Sequence, residues 1–202
     1  MAKPTIILAS TSQSRQTLLH NAGVQFDAID AGVDEDAIKK AFLGDGNEQD
    51  IADVATILAQ TKAVTVSEQQ PDQLVIGADQ TLLCDGKLYS KPESIEHARG
   101  QLLYMAGRTH VLETAVACAT NGQIVWSYRE GPSLKMRDFT PQFLGRYMAA
   151  VGADVTSTVG GYKLEGQGIQ LFEKIEGNYF SILGLPLLPL LDFLRQQELL
   201  YT

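Results

Sequence analysis

The chain is poor in cysteine. It has two among 202 residues, Cys84 and Cys118, with no Cys-x-x-Cys pair. That argues against a disulfide scaffold and against structural zinc, and leaves both thiols as small buried hydrophobes. Histidine is almost as scarce. There are three, and no His-Glu-x-x-His, GxxxxGK[ST] or GxGxxG pattern occurs. The zincin, P-loop and dinucleotide-binding readings lose their usual support. Basic residues are in deficit, with Lys+Arg 16 against Asp+Glu 24 and a net charge of −8. A protein that grips a nucleic-acid polymer by its backbone is basic, so that partner is disfavoured. A small anionic substrate needs a local cluster of lysines, arginines or metal instead. Long apolar runs are missing too. Ile182–Leu191 carries Pro186 and Pro189 and is too short for a bilayer. Thr5–Ala9 is too short for a signal-peptide core. The expectation is a soluble cytoplasmic protein with no membrane partner, folded as one domain over residues 1–202.

What is present alternates between strand and helix. Thr5–Ala9 predicts a buried strand, and the hydroxyls of Ser10-Thr-Ser12 a loop and helix cap before a helix reaching about Ala22. Val24–Ile29 predicts a second short strand running into the acidic segment Asp34-Glu35-Asp36. Leu43–Asn47 predicts a loop. Asp50 and Asp53 suggest capping of a helix from Ile51 to about Glu68. Its apolar stripe is Ile51, Val54, Ala55 and Leu58, and Lys62, about three turns beyond Ile51, falls on that stripe. Leu74–Ala78 predicts a central strand ending at Asp79-Gln80, followed by a hairpin over Thr81–Tyr89 with Asp85-Gly86 in its middle. A helix follows at Ser94–Met105, then strands Arg108–Thr120 and Gln123–Tyr128 joined by Asn121-Gly122. Pro141 opens a helix over Thr140–Val151. A glycine-rich loop at Gly160–Gly168 and a last helix at Pro186–Leu194 complete an α/β chain with a mixed sheet.

Four groups of residues could carry chemistry. Ser10, Ser12 and Arg15 stand between a strand and a helix N-terminus, where hydroxyls, N–H groups and a guanidinium can hold phosphate oxygens. The hydroxyls can equally be plain caps. Asp79 follows the small pair Gly77-Ala78 and can bind Mg²⁺, orient water, take its proton, or merely form an Asx turn. Lys62, Lys91 and Lys163 sit at element ends, on an inward stripe or among glycines. In an acidic protein they suggest a polyphosphate site, and any one of them can be simply solvated. Lys62 must either snorkel or meet an anion. Glu35 sits in an acidic run whose default reading is a solvated loop, and Glu35 and Glu165, from separate segments, could share one divalent cation. His20, His97 and His110 read as non-catalytic.

Several stretches, in this order, resemble the Maf family of nucleoside triphosphate pyrophosphatases. They are Leu8-Ala-Ser-Thr-Ser12 with Arg15, Val33-Asp34-Glu35, Leu58-Ala59 through Lys62-Ala63, and Ile76-Gly-Ala-Asp79-Gln80. Ser90-Lys91-Pro92, Gly107 through Thr114, Gly161-Tyr162-Lys163 with Glu165-Gly166, and Gly184-Leu-Pro-Leu187 continue the match. The resemblance implies a mixed twisted sheet with flanking helices and a deep cleft, like inosine-triphosphate pyrophosphatases, and usually a homodimer. It implies hydrolysis of a nucleoside triphosphate to the monophosphate and pyrophosphate with a divalent metal, Mg²⁺ or Mn²⁺. By position, Asp79 is then the general base and, with Glu35, a metal ligand. Ser10, Ser12, Arg15, Lys62, Lys91 and Lys163 hold the triphosphate, and Ser14, Gln80 and Glu165 select the base. Gln80 and Glu165 look like the branch acting on 7-methyl-GTP, although that branch tends to carry Trp where Ser14 stands. The family usually shows an arginine pair after the second serine, and here only Arg15 is present. The family's link to septum formation gives an alternative, a nucleotide-binding regulator with little or no turnover.

Overall fold

The computed structural model describes residues 5–43 and 48–200; the loop expected at 44–47 lies outside them. The elements are β1 (Ile6–Leu8), α1 (Gln13–Asn21), β2 (Asp27–Ala28), α2 (Glu35–Leu43), α3 (Glu48–Gln69), β3 (Leu74–Cys84) and β4 (Lys87–Tyr89). Then come α4 (Ile95–Met105), β5 (Thr109–Thr120), β6 (Gln123–Glu130), β7 (Ser133–Met136) and α5 (Pro141–Val151). Three short 3₁₀ turns between Gly152 and Leu171 lead to β8 (Phe172–Glu176), α6 (Tyr179–Ile182) and α7 (Leu187–Gln196). The sheet is mixed, with strand order β2-β1-β3-β5-β7-β8; β4 pairs with β3 and β6 with β5. The predicted α/β class with a mixed sheet holds. Among the described residues no helix is long and apolar enough to cross a membrane.

The chain forms two compact units. One comprises Met1–Asp79, Thr114–Glu130 and Gly184–Thr202. Here β1 runs parallel to β2 and β3, with Leu8 opposite both Ala28 and Ile76. Strands β5 and β6 form an antiparallel hairpin. Its turn has Asn121 at φ 52° and Gly122 at φ 76°, the left-handed pair that Asn-Gly adopts at least cost. Trp126 of β6 stacks on Phe193 of α7, ring centroids 4.9 Å apart, which fixes the last helix on this strand. The other unit comprises Gln80–Glu113 and Gly131–Leu183. Its core gathers Leu82, Leu102, Met105, Leu134, Met136 and Leu144 around the base of the glycine-rich segment. Ser94 caps α4 by accepting from His97 N–H, and Thr140 caps α5 by accepting from Phe143 N–H.

Four sequence expectations change. The acidic run at Asp34–Asp36 is a helix start, because Asp34 Oδ1 accepts the Ala37 N–H at 2.9 Å and so caps α2. Helix α3 begins at Glu48, ahead of the start at Ile51 expected from the sequence. Strand β3 does not end at Asp79 but continues to Cys84, placing Asp79 mid-strand. The second strand is confined to Asp27–Ala28, and β7 and β8 were not foreseen.

Candidate active site

Small side chains decide how near α3 comes to the sheet. Ala55, Ala59 and Ala63, spaced four apart on one helix face, pack on Ala115, Ala117 and Ala119 of β5. A Cβ on Gly77 of β3 would stand 2.1 Å from the Ala59 carbonyl oxygen and 2.7 Å from the Ala63 nitrogen. Only glycine permits that approach. Residues two apart on a strand share a face, so Asp79 also looks toward α3. There Lys62, 7% exposed, donates from Nζ to Asp79 Oδ1 at 2.6 Å. The same Nζ stands 2.6 Å from Glu35 Oε1. The inward lysine expected from the α3 stripe is therefore present, and its anions are two carboxylates.

Glu35 is the first residue of α2 and half-buried; Lys39, one turn on, lies 3.6 Å from its other oxygen. Burial would raise the Glu35 carboxyl. The hydrogen bond and charge of Lys62, with the charges of Lys39 and Arg15, outweigh it and hold Glu35 below its ordinary value. Arg15 is buried in the first turn of α1. Its Nε donates to the Gly184 carbonyl at 2.9 Å and its Nη1 to Ser10 Oγ at 3.2 Å. Burial lowers its affinity for its proton, while the charges of Asp79 and Glu35 oppose that. Ser12 occupies the cap position of α1, yet its side chain makes no capping hydrogen bond; its N–H donates to Ser10 Oγ. Ser14 is half-buried on α1. This unit thus brings Ser10, Arg15, Glu35, Lys62 and Asp79 into one hydrogen-bonded and electrostatic set.

The remaining candidates belong to the other unit. Lys91 is exposed ahead of α4. Lys163 Nζ pairs with Asp154 Oδ2 at 2.9 Å, and Glu165 is exposed. Gly168 closes the loop that carries them: a Cβ there would stand 2.4 Å from the Lys163 carbonyl oxygen. Gln80 Nε2 donates to the Ser181 and Ile182 carbonyls at 2.8 and 3.2 Å, securing the end of α6. Behind the loop, His110 Nε2 lies 2.7 Å from Tyr162 Oη, and burial depresses the imidazole to about 4, so it stays neutral. Sequence reasoning missed Asp154, Gly184 and the Ser181–Ile182 carbonyls as partners. Arg15 and Gly184 are 169 positions apart, and no local pattern marks such a contact.

Two carboxylate oxygens, from Glu35 and Asp79, converge on one point that a cation already holds, the Lys62 ammonium. Mg²⁺ is typically bound through one or two carboxylates, with water and substrate phosphates completing its shell. The pair fits such an ion. Among the described residues no group of three or more His, Cys, Asp or Glu could cage a metal without that help.

The family profile described as "Maf-like protein" matches residues 5–197. The chain belongs to this family. A nucleoside triphosphate pyrophosphatase of Granulibacter bethesdensis is 48% identical to the Maf-like chain over 195 residues, covering 96% of it and 98% of the relative. A 7-methyl-GTP pyrophosphatase of Brucella abortus is 46% identical over 193 residues, 96% of each. A nucleoside triphosphate pyrophosphatase of Caulobacter vibrioides is 49% identical over 196 residues, again 96% of each. Among solved structures, a HAM1 protein from Coxiella burnetii matches with TM-score 0.39 and 13% identity, over 67% of this chain and 74% of that one.

Proposed function

We propose that this Maf-like chain hydrolyses a nucleoside triphosphate to the monophosphate and pyrophosphate, using a divalent cation. The observation that carries the reading is Lys62 Nζ at 2.6 Å from both Asp79 and Glu35, inside a largely buried set that includes Arg15. The relatives named as pyrophosphatases support it over nearly the whole chain.

In this reading Asp79 takes the proton of a water that attacks the α-phosphorus. The α–β bridging bond breaks, pyrophosphate leaves on its own oxygen, and the nucleoside monophosphate remains. Glu35 and Asp79 would hold the divalent cation, which neutralises charge on the phosphate oxygens when bound. Phosphoryl chemistry of this kind needs positioning and charge stabilisation more than a covalent nucleophile. Lys62, Arg15 and the Ser10 and Ser12 groups supply these within one unit, and the family resemblance assigns Lys91 and Lys163 to the triphosphate as well. By the family resemblance, Ser14, Gln80 and Glu165 are the positions that select the base. The Gln80–Glu165 combination, with the Brucella abortus relative, favours a modified purine such as 7-methyl-GTP. Pyrophosphate release measured over a panel of 7-methyl-GTP, GTP, ITP, UTP and dTTP, with Mg²⁺ and with Mn²⁺, tests the proposal. Nucleotide binding without release at any metal concentration would replace it with the regulator reading.

A further inference from the structure

Glu35 and Asp79 balance Lys62 and Arg15, and Lys39, 3.6 Å from Glu35, is balanced by Asp36 at 3.9 Å, so the set is neutral as it stands. The two cations differ in freedom. Arg15 is fastened to the Gly184 carbonyl and to Ser10 Oγ. Lys62 makes its polar contacts only at its tip, with the two carboxylates, and its four-carbon stem carries no hydrogen-bonding group that would fix it. Its ammonium stands where a cation bridging Glu35 and Asp79 would stand, and the two cannot occupy one point.

We propose that Lys62 Nζ is the resident occupant of the divalent-cation position in the free chain, and that it cedes the position when a triphosphate arrives to receive it. This rests on the pyrophosphatase reading above. A divalent cation entering alone would take both carboxylates and leave two positive charges, the displaced ammonium and Arg15, uncompensated in a largely buried set. A triphosphate reverses that balance, because its oxygens take the ammonium and face the cation at once. Cation and triphosphate therefore bind as a coupled pair, each raising the affinity of the other by the same factor, about ten- to a hundredfold. The choice of lysine over arginine follows. A point charge on a mobile stem can move from carboxylate to phosphate, whereas a planar guanidinium is fixed by its fork of donors.

The test is Mn²⁺ binding to the full chain, read by loss of the free-Mn²⁺ electron paramagnetic resonance signal. It is made with and without an α,β-methylene nucleoside triphosphate, which lacks the cleavable bridge; the analogue's own Mn²⁺ binding is measured separately. In the wild type the analogue should tighten Mn²⁺ binding at least about tenfold. Lys62→Met should bind Mn²⁺ alone at least about tenfold more tightly than the wild type and gain less from the analogue. Lys62→Arg should keep the weak wild-type binding. An analogue that leaves wild-type Mn²⁺ affinity unchanged overturns the proposal whatever the variants do, so the result does not depend on their folding. A folded Lys62→Met that binds Mn²⁺ no better than the wild type overturns it as well. Pyrophosphate release by the wild type separates the two levels. Release without coupling removes the lysine's role alone, whereas no release and no analogue binding removes the pyrophosphatase reading beneath it.

Discussion

Gly77 of β3 and Ala59 of α3 touch backbone to backbone: a Cβ on Gly77 would stand 2.1 Å from the Ala59 carbonyl oxygen. The contact sets the distance between strand and helix, and hence whether Lys62 can reach Asp79. Gly77→Ala must push α3 away, because the obstacle is backbone and cannot rotate aside. Overpacking of this kind costs about 1–3 kcal/mol, and a backbone clash belongs at the upper end. Urea unfolding should show that loss, and nucleotide hydrolysis should fall with it. A variant of unchanged midpoint and rate would mean that the helix position does not govern the site.

Asp79→Asn should abolish most hydrolysis while keeping the fold. The amide oxygen can still accept from Lys62, and Lys62 retains Glu35. The amide cannot take a proton from water, and general-base loss costs about 10²–10⁴-fold. Single-turnover pyrophosphate release with matching circular dichroism spectra gives the comparison. A near wild-type rate takes Asp79 out of proton transfer.

Much of this site is legible in the sequence because helix periodicity is local information. Lys62 on the stripe of Val54, Ala55 and Leu58 announces a buried charge, and the structure supplies its partners. The turns at Asp85-Gly86 and Asn121-Gly122 show the left-handed φ values their residue types favour. Other features depend on the whole sheet. The hairpin expected over Thr81–Tyr89 forms, with Leu82 and Leu83 paired to β4, but nothing local shows that its first strand runs unbroken from Leu74. Nothing in Asp34-Glu35-Asp36 shows that the first caps a helix and the second reaches Lys62. The amide of Gln80, assigned to a base edge by resemblance, is engaged by two main-chain carbonyls about a hundred positions away.

That engagement separates two of the specificity candidates. Gln80→Thr removes both amide hydrogen bonds to the Ser181 and Ile182 carbonyls. Half-buried bonds of this type are worth about 0.5–1.5 kcal/mol each, so a stability loss of about 1–3 kcal/mol should appear. Glu165 is exposed, and Glu165→Gln should leave the melting temperature unchanged. Base preference across the nucleotide panel should then move with Glu165→Gln at constant stability. If Gln80→Thr is as stable as the wild type, its amide bonds do not support α6 in solution.

His110 gives the fold a specific acid sensitivity. Its imidazole is 1% exposed and lies against Tyr162 Oη, and burial alone depresses it to about 4 from an ordinary 6.5. The folded state therefore keeps the ring neutral where the unfolded chain has already taken a proton. Stability from this group is complete above about pH 6.5, falls as the pH drops toward 4, and changes no further below that. Each unit of difference is worth about 1.4 kcal/mol, so the full loss is about 3 kcal/mol, of which about 2 kcal/mol is gone by pH 5. Carboxylates titrate in the lower part of that range as well, so the contribution must be read as a difference between variants. His110→Gln keeps a hydrogen-bonding group beside Tyr162 and has nothing to titrate. Urea midpoints at pH 7, 6 and 5 should converge: the variant starts less stable, and the wild type loses about 2 kcal/mol more than it does by pH 5. Parallel loss in the two proteins would show that His110 is protonated in the fold, and that its pocket is wetter than its burial indicates.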